Sequence, residues 1–349
     1  MIAEMKYGAL SGKTRAMFGR LLHNEDYIAL MQKKNVSEVV SYLKNNTHYQ
    51  SILSNIEETE IHRARFENLL KKDLVNDYGK LLKFTNGNLK EFLKLLYFKI
   101  EIESFKLIFR AFETGHVNQS VLENSLLFFA DYDKLDIPKL ALSKNTDEFL
   151  SRLRGTVYYV ILRPFASENN ETRLFSMEMA LDQFYLRCIQ NDYKKLLNVQ
   201  DRAIMKELAG VESDVFNIFW IYRSKTFYKI DEEVIKSYTL PLIHKLNKNT
   251  MDALIKSKDF EEYISILKET PYSFLFEGNH ELLFEHNYSE FMYRLYRTRF
   301  RSQPFTIACI VSYMRMKEVE LSNIISIVEG IRYKLSEENI RKYVVGMNF

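Results

Sequence analysis

Cysteine is nearly absent: Cys188 and Cys309 stand 121 positions apart with no companions. Two isolated thiols cannot make a disulfide framework or a multi-cysteine metal site, and they fit a reducing compartment. Proline (5) and glycine (11) are scarce over 349 residues. Sheet proteins spend such residues at every hairpin and crossover, so a fold of many short strands is excluded. Long apolar runs are missing too. The longest lie near 157–162 and 305–311, far short of the ~20 residues that a membrane-spanning helix requires. The opening MIAEMKYGAL has no basic region leading into an apolar run, so no secretory signal is expected. Nor does one charge sign dominate: 49 basic against 46 acidic side chains leave +3, too little to argue for nucleic acid.

What remains is a chain with 46% apolar and 27% charged residues, the balance of a globular protein with a real core. Its apolar residues recur with the helical period. Phe105, Ile108, Phe109 and Phe112 follow i, i+3, i+4, i+7, as do Ile307, Ile310, Val311 and Met314, then Leu321, Ile324, Ile325 and Val328. The spacing predicts a long helix from about Asn88 to Thr114, closed before Gly115, and another from Pro304 to Tyr333. Ser302 is the expected N-cap of the second, with Gly330 interrupting it near its far end. The fold class is all-α.

The chain also repeats. Glu38, Glu148 and Glu262 each open a Glu-x-x-Ser-x-Leu frame, followed by Thr47-x-Tyr49, Thr156-x-Tyr158 and Thr270-x-Tyr272. Asn35, Asn145 and Asp259 stand three residues before those glutamates, the spacing of a capping box at a helix start. Within the long helices, Glu103-x-x-Lys106, Asp214-x-x-Asn217 and Glu320-x-x-Asn323 recur at a similar step of about 110. Three repeats follow, 1–116, 117–229 and 230–349. Solenoid units are 20 to 50 residues long, so this period does not belong to a stacked array. Three equal helical units are expected to close around an axis and leave a central concavity.

No motif carries chemistry. Gly8-Ala-Leu-Ser-Gly12-Lys13-Thr14 is one residue short of a phosphate loop and follows no buried strand. His280 and His286 are six apart, whereas two histidines share a metal from one helix at a spacing of four; His23, His48, His62, His116 and His244 are scattered. Asp131 and Asp133 lack a third carboxylate for calcium and suit a loop. The aromatic and basic residues of 291–301 suit a core edge overlaid by arginine stems better than a base-stacking surface. Glu318 interrupts an apolar stripe, and the pairs Asp214/Asn217 and Glu320/Asn323 are i, i+3 neighbours able to interact along a helix. A bond needed in every repeat is architectural, whereas catalysis needs one asymmetric constellation. No catalytic, cofactor-binding or metal-ligating residue is assigned.

The segment 303–334 carries a resemblance to a named family: a Pro304-led helix, the run Lys317-Glu318-x-Glu320-x-x-Asn323-Ile324, then Gly330 and Arg332. Asp214, Asn217, Tyr222 and Arg223 in the middle, and Thr14-Arg15-Ala16, Leu21-Leu22 and Asp26-Tyr27 near the start, extend it. Together they make the chain resemble the C subunit of bacterial and archaeal V/A-type rotary ATPases, related to the d subunit of the eukaryotic vacuolar enzyme. That resemblance implies a funnel-shaped, pseudo-threefold helical adaptor without catalytic residues. It would sit peripherally at the cytoplasmic face of a membrane, between the rotor shaft and the proteolipid ring. It implies neither nucleotide nor nucleic-acid binding. A free-standing helical scaffold for other soluble partners is the competing expectation.

Overall fold

The structure is a computed structural model that describes residues 2–55, 63–115, 139–140, 142–241, 243–278 and 281–347. His62, His116, His280, Asp131 and Asp133 lie outside the described residues. Every regular element among the described residues is helical. Besides two short 3-10 helices, Arg163–Phe165 and Ser273–Phe276, these are in chain order α1 (Ile2–Phe18), α2 (Asn24–Met31), α3 (Val36–Asn46), α4 (Gln50–Leu53), α5 (Arg63–Leu82), α6 (Gly87–Glu113), α7 (Thr146–Arg152) and α8 (Val157–Leu162). They continue as α9 (Asn170–Leu196), α10 (Val199–Thr226), α11 (Glu232–Ser237), α12 (Lys248–Lys256), α13 (Phe260–Lys268), α14 (Glu281–Ser302), α15 (Ile307–Arg332) and α16 (Glu337–Arg341). No helix among the described residues is long and apolar enough to cross a membrane.

The helix termini follow local chemistry. Asn35, Asn145 and Asp259 each accept the backbone N–H three residues on, at 2.9, 2.9 and 2.8 Å. The reciprocal glutamates Glu38, Glu148 and Glu262 reach back to the N–H of Lys34, Lys144 and Lys258. Three first-turn donors of α3, α7 and α13, and three more just before their N-caps, are thereby satisfied. Helix α6 stops at Gly115, whose φ of +69° lets the chain turn away where a side chain would be strained.

Two expectations at α15 are corrected. Ser302 ends α14, and the N-cap is Thr306, whose hydroxyl accepts the N–H of Ala308 at 3.2 Å. Pro304 lies in the connection, since an interior proline would cost a helix its ladder bond. Gly330 does not interrupt α15. A Cβ there would lie 2.5 Å from Cγ1 of Ile340, so glycine admits α16 against the helix.

The chain forms two compact units, Met1–Asn86 with Leu275–Phe349, and Gly87–Phe274. In the first, α15 is buried around its whole circumference from Ile307 to Lys317 and packs against α1, α2, α3, α5, α14 and α16. An all-round buried helix forms the centre of its domain. In the second, α6 and α9 run antiparallel, as their bridges show: Lys106–Asp182, Arg110–Glu178 and Glu113–Arg173 pair in opposite order along the two helices.

Candidate functional site: buried carboxylate clamps

Each marker tyrosine found in the sequence ends on a carboxylate. The Tyr272 hydroxyl donates to Asp214 at 2.7 Å, Tyr49 to Glu320 at 2.7 Å, and Tyr158 to Glu101 in a short contact. All three rings are core residues, at most 4% exposed. For Tyr49 and Tyr158, burial first and then the neighbouring carboxylate push the phenol well above its ordinary value, so each stays a donor. Tyr158 is also stacked on Phe105, with ring centres 4.7 Å apart.

The carboxylates Asp214 and Glu320 also accept backbone donors. Asp214 accepts the N–H groups of His244, Lys245 and Leu246 at 3.0, 2.7 and 3.1 Å, and Glu320 accepts that of Leu22. Each of these acids, set on a long helix, therefore ties down both the loop leading to a short helix and the tyrosine further along the same cluster. A buried carboxylate without such donors would be costly. Asn217 and Asn323 do the same through a two-bond amide clip. Asn217 gives to Leu240 O and takes from Leu240 N at 3.0 and 2.7 Å; Asn323 gives to Val345 O and takes from Val345 N, both at 2.8 Å. The i, i+3 pairing of acid and amide expected from sequence gives way here: each partner reaches a different loop instead.

The register in the first long helix also needs correction. Glu101, not Glu103, receives the tyrosine, and Glu103 is exposed. Ser104 stands three residues on and bonds Ile100 O at 2.8 Å. Lys106 instead pairs with Asp182 and Glu103 at 2.8 and 2.9 Å. The signal was present in the stripe: extending Phe105–Ile108–Phe109–Phe112 one turn back reaches Glu101 and not Glu103.

These clamps are bonds between helices, with each acid engaged by tyrosine or backbone, in a chain whose signature segments are spread over nearly its whole length. A profile described as ATP synthase (C/AC39) subunit matches residues 10–343. The chain belongs to this family. The C subunit of the A-type ATP synthase of Methanocaldococcus jannaschii is 23% identical over 350 residues, covering 98% of this chain and 86% of that protein. Its counterpart in Methanosphaera stadtmanae is 22% identical over 329 residues, covering 90% and 81%. That of Pyrococcus abyssi is 24% identical over 353 residues, covering 97% and 90%.

The remaining signature residues of this ATP synthase family member are placed individually. Arg15 is exposed, donates to Phe300 O at 3.1 Å and lies 5.0 Å over the Phe300 ring. Tyr222 is buried beside Phe260 and Tyr263, and Arg223 covers Phe219. Glu318 receives Arg315 at 2.9 Å, and Arg332 donates to Glu329 at 3.0 Å on an exposed face. The Gly8–Thr14 segment is interior α1: its amides belong to the helix, and the Thr14 hydroxyl donates to Leu10 O at 2.7 Å. Among the described residues no group of three or more His, Cys, Asp or Glu side chains is placed to hold a metal.

Sequence reasoning missed the centre of the first unit. Lys317 is fully buried, with Nζ 2.8 Å from Glu320, 2.9 Å from Asp73 on α5, 2.9 Å from the Tyr49 hydroxyl and 2.7 Å from His48 Nε2. Burial would lower the ammonium; Glu320 and Asp73 outweigh it and raise it instead. Burial would likewise raise Asp73, but its bonds to His48 and Lys317 hold it at about 2. Tyr313 donates to Asp77 one turn along α5.

Proposed function

We propose that this protein is the non-catalytic central-stalk adaptor of a V/A-type rotary ATPase, coupling the soluble rotor shaft to the membrane proteolipid ring. The observation that carries the proposal is the set of three clamps. Glu101 of the repeat 1–116 holds Tyr158 of 117–229, Asp214 of 117–229 holds Tyr272 of 230–349, and Glu320 of 230–349 holds Tyr49 of 1–116. Each repeat thus grips the next, and the third grips the first, which supports a pseudo-threefold, funnel-like body around a central concavity. It also accounts for packing units that cut across the repeats. A body braced in this way resists twisting, as torque transfer requires, and its buried acids serve that bracing rather than a reaction.

The proposed place is peripheral, at the cytoplasmic face of the membrane, with shaft and ring as partners and no nucleotide or nucleic acid bound by this chain. The test is binding of the full chain to purified shaft and purified proteolipid ring, separately and together. A ternary complex is the expected result. Competition of shaft and ring for one surface would overturn the axial arrangement.

A further inference from the structure

The three clamps are alike in their acid and tyrosine but not in their neighbours. Three residues before the acid stand Phe98, Val211 and Lys317; immediately before the tyrosine stand Val157, Pro271 and His48. At these positions two clamps have apolar residues, of which Val157 and Pro271 are exposed, whereas in the third Lys317 and His48 reach the acid itself. The two apolar ones bridge 57 and 58 residues of chain, whereas Glu320 and Tyr49 are 271 apart. Where sequence-near elements meet, chain connectivity keeps them close and a modest contact suffices. Where residues 1–86 meet 275–349, closure costs somewhat more chain entropy and the junction leans more on its own contacts.

We propose that this junction is a charge-latched seam, closed by Lys317 between Asp73 and Glu320, which opens while the unit Gly87–Phe274 stays folded. The groups facing Lys317 and Asp73 are His48 and Tyr49 between α3 and α4, Asp73 itself and Asp77 on α5, and Tyr313 and Glu320 on α15. Lys317, Asp73 and Glu320 are all paired while the seam is closed. Removing one charge leaves another buried and unpaired, a far larger penalty than losing an apolar contact. Such a junction depends on a buried ion-pair network, Asp73–Lys317–Glu320, that the other two clamps lack.

The two cysteines read the two units. Cys309 on α15 is buried against Ser11 of α1, 3.8 Å from its hydroxyl, so it becomes accessible when the seam parts. Cys188 on α9 is half-buried in the other unit. The experiment labels the full-length chain with 4,4′-dithiodipyridine and follows each cysteine by mass spectrometry. At pH 7, Lys317→Met is expected to speed labelling of Cys309 at least about tenfold while Cys188 stays within about twofold. Wild type is expected to gain the same selective Cys309 reactivity as pH falls from 4 toward 2, where Asp73 takes up its proton. The variant carrying Lys317→Met, Asp73→Leu and Glu320→Gln, which removes all three buried charges and serves also if the single variant does not fold, should lose that acid response. The proposal is overturned if Lys317→Met accelerates both cysteines equally or neither, or if the variant lacking all three charges responds to acid as wild type does.

Discussion

A single hydroxyl decides how well each clamp works. Asp214 receives four donors, three of them backbone N–H groups and the fourth from Tyr272. Tyr272→Phe keeps the ring and its packing but withdraws one donor from a carboxylate that is wholly buried. Hydrogen bonds to charged groups contribute about 1.5–3 kcal/mol, so the variant should unfold earlier in urea by that amount. The measurement is ΔG from denaturation followed by circular dichroism. Equal midpoints and slopes for variant and wild type would mean that the backbone donors alone satisfy the acid.

Among whole elements, α15 shows how an absent side chain can be as specific as a present one. Gly330→Ala would put a methyl group 2.5 Å from Cγ1 and 2.9 Å from Cδ1 of Ile340, which is itself buried. Overpacking of this kind costs about 1–3 kcal/mol, more than the ~1 kcal/mol that alanine gains over glycine within a helix. Gly12→Ala on α1 supplies the contrast, because no atom lies within 4 Å of the added carbon. Thermal melts should therefore move in opposite directions, down for Gly330→Ala and up for Gly12→Ala. A rise in both would remove the close approach of α16 as the reason for the glycine.

For the molecule as a whole, the cluster around Lys317 sets the acid side of stability. Asp73 is held at about 2, below the ~3.9 of an unstructured aspartate, so the unfolded chain binds the proton more readily. Its contribution is complete above about pH 4 and disappears as pH falls toward 2; the depression corresponds to about 2–3 kcal/mol. Lys317 is raised, so its contribution is full below ~10.4 and fades only when pH climbs past its folded value. Asp73→Asn should therefore flatten the acid limb of a stability-versus-pH curve and leave the slope between pH 5 and 8 unchanged. An acid limb as steep as that of wild type would assign acid sensitivity to other carboxylates.

Much of this was legible in the residues themselves. Scarce proline and glycine and the period of Phe105–Phe112 and Ile307–Met314 determine an all-helical chain, because helix formation and the burial of one face are local events. The caps at Asn35, Asn145 and Asp259 were equally readable, since both partners lie within one turn. The repeat of Tyr49, Tyr158 and Tyr272 pointed to something recurring, without saying what each hydroxyl would meet. Only the tertiary structure decided that Glu101 rather than Glu103 is the partner of Tyr158, that Asn323 clips Val345, and that Lys317 is buried between Asp73 and Glu320. The bonds Glu101–Tyr158, Asn323–Val345 and Asp73–Lys317 join residues separated by 57, 22 and 244 positions. At such separations the helical period no longer sets who meets whom; the packing of one helix against another does.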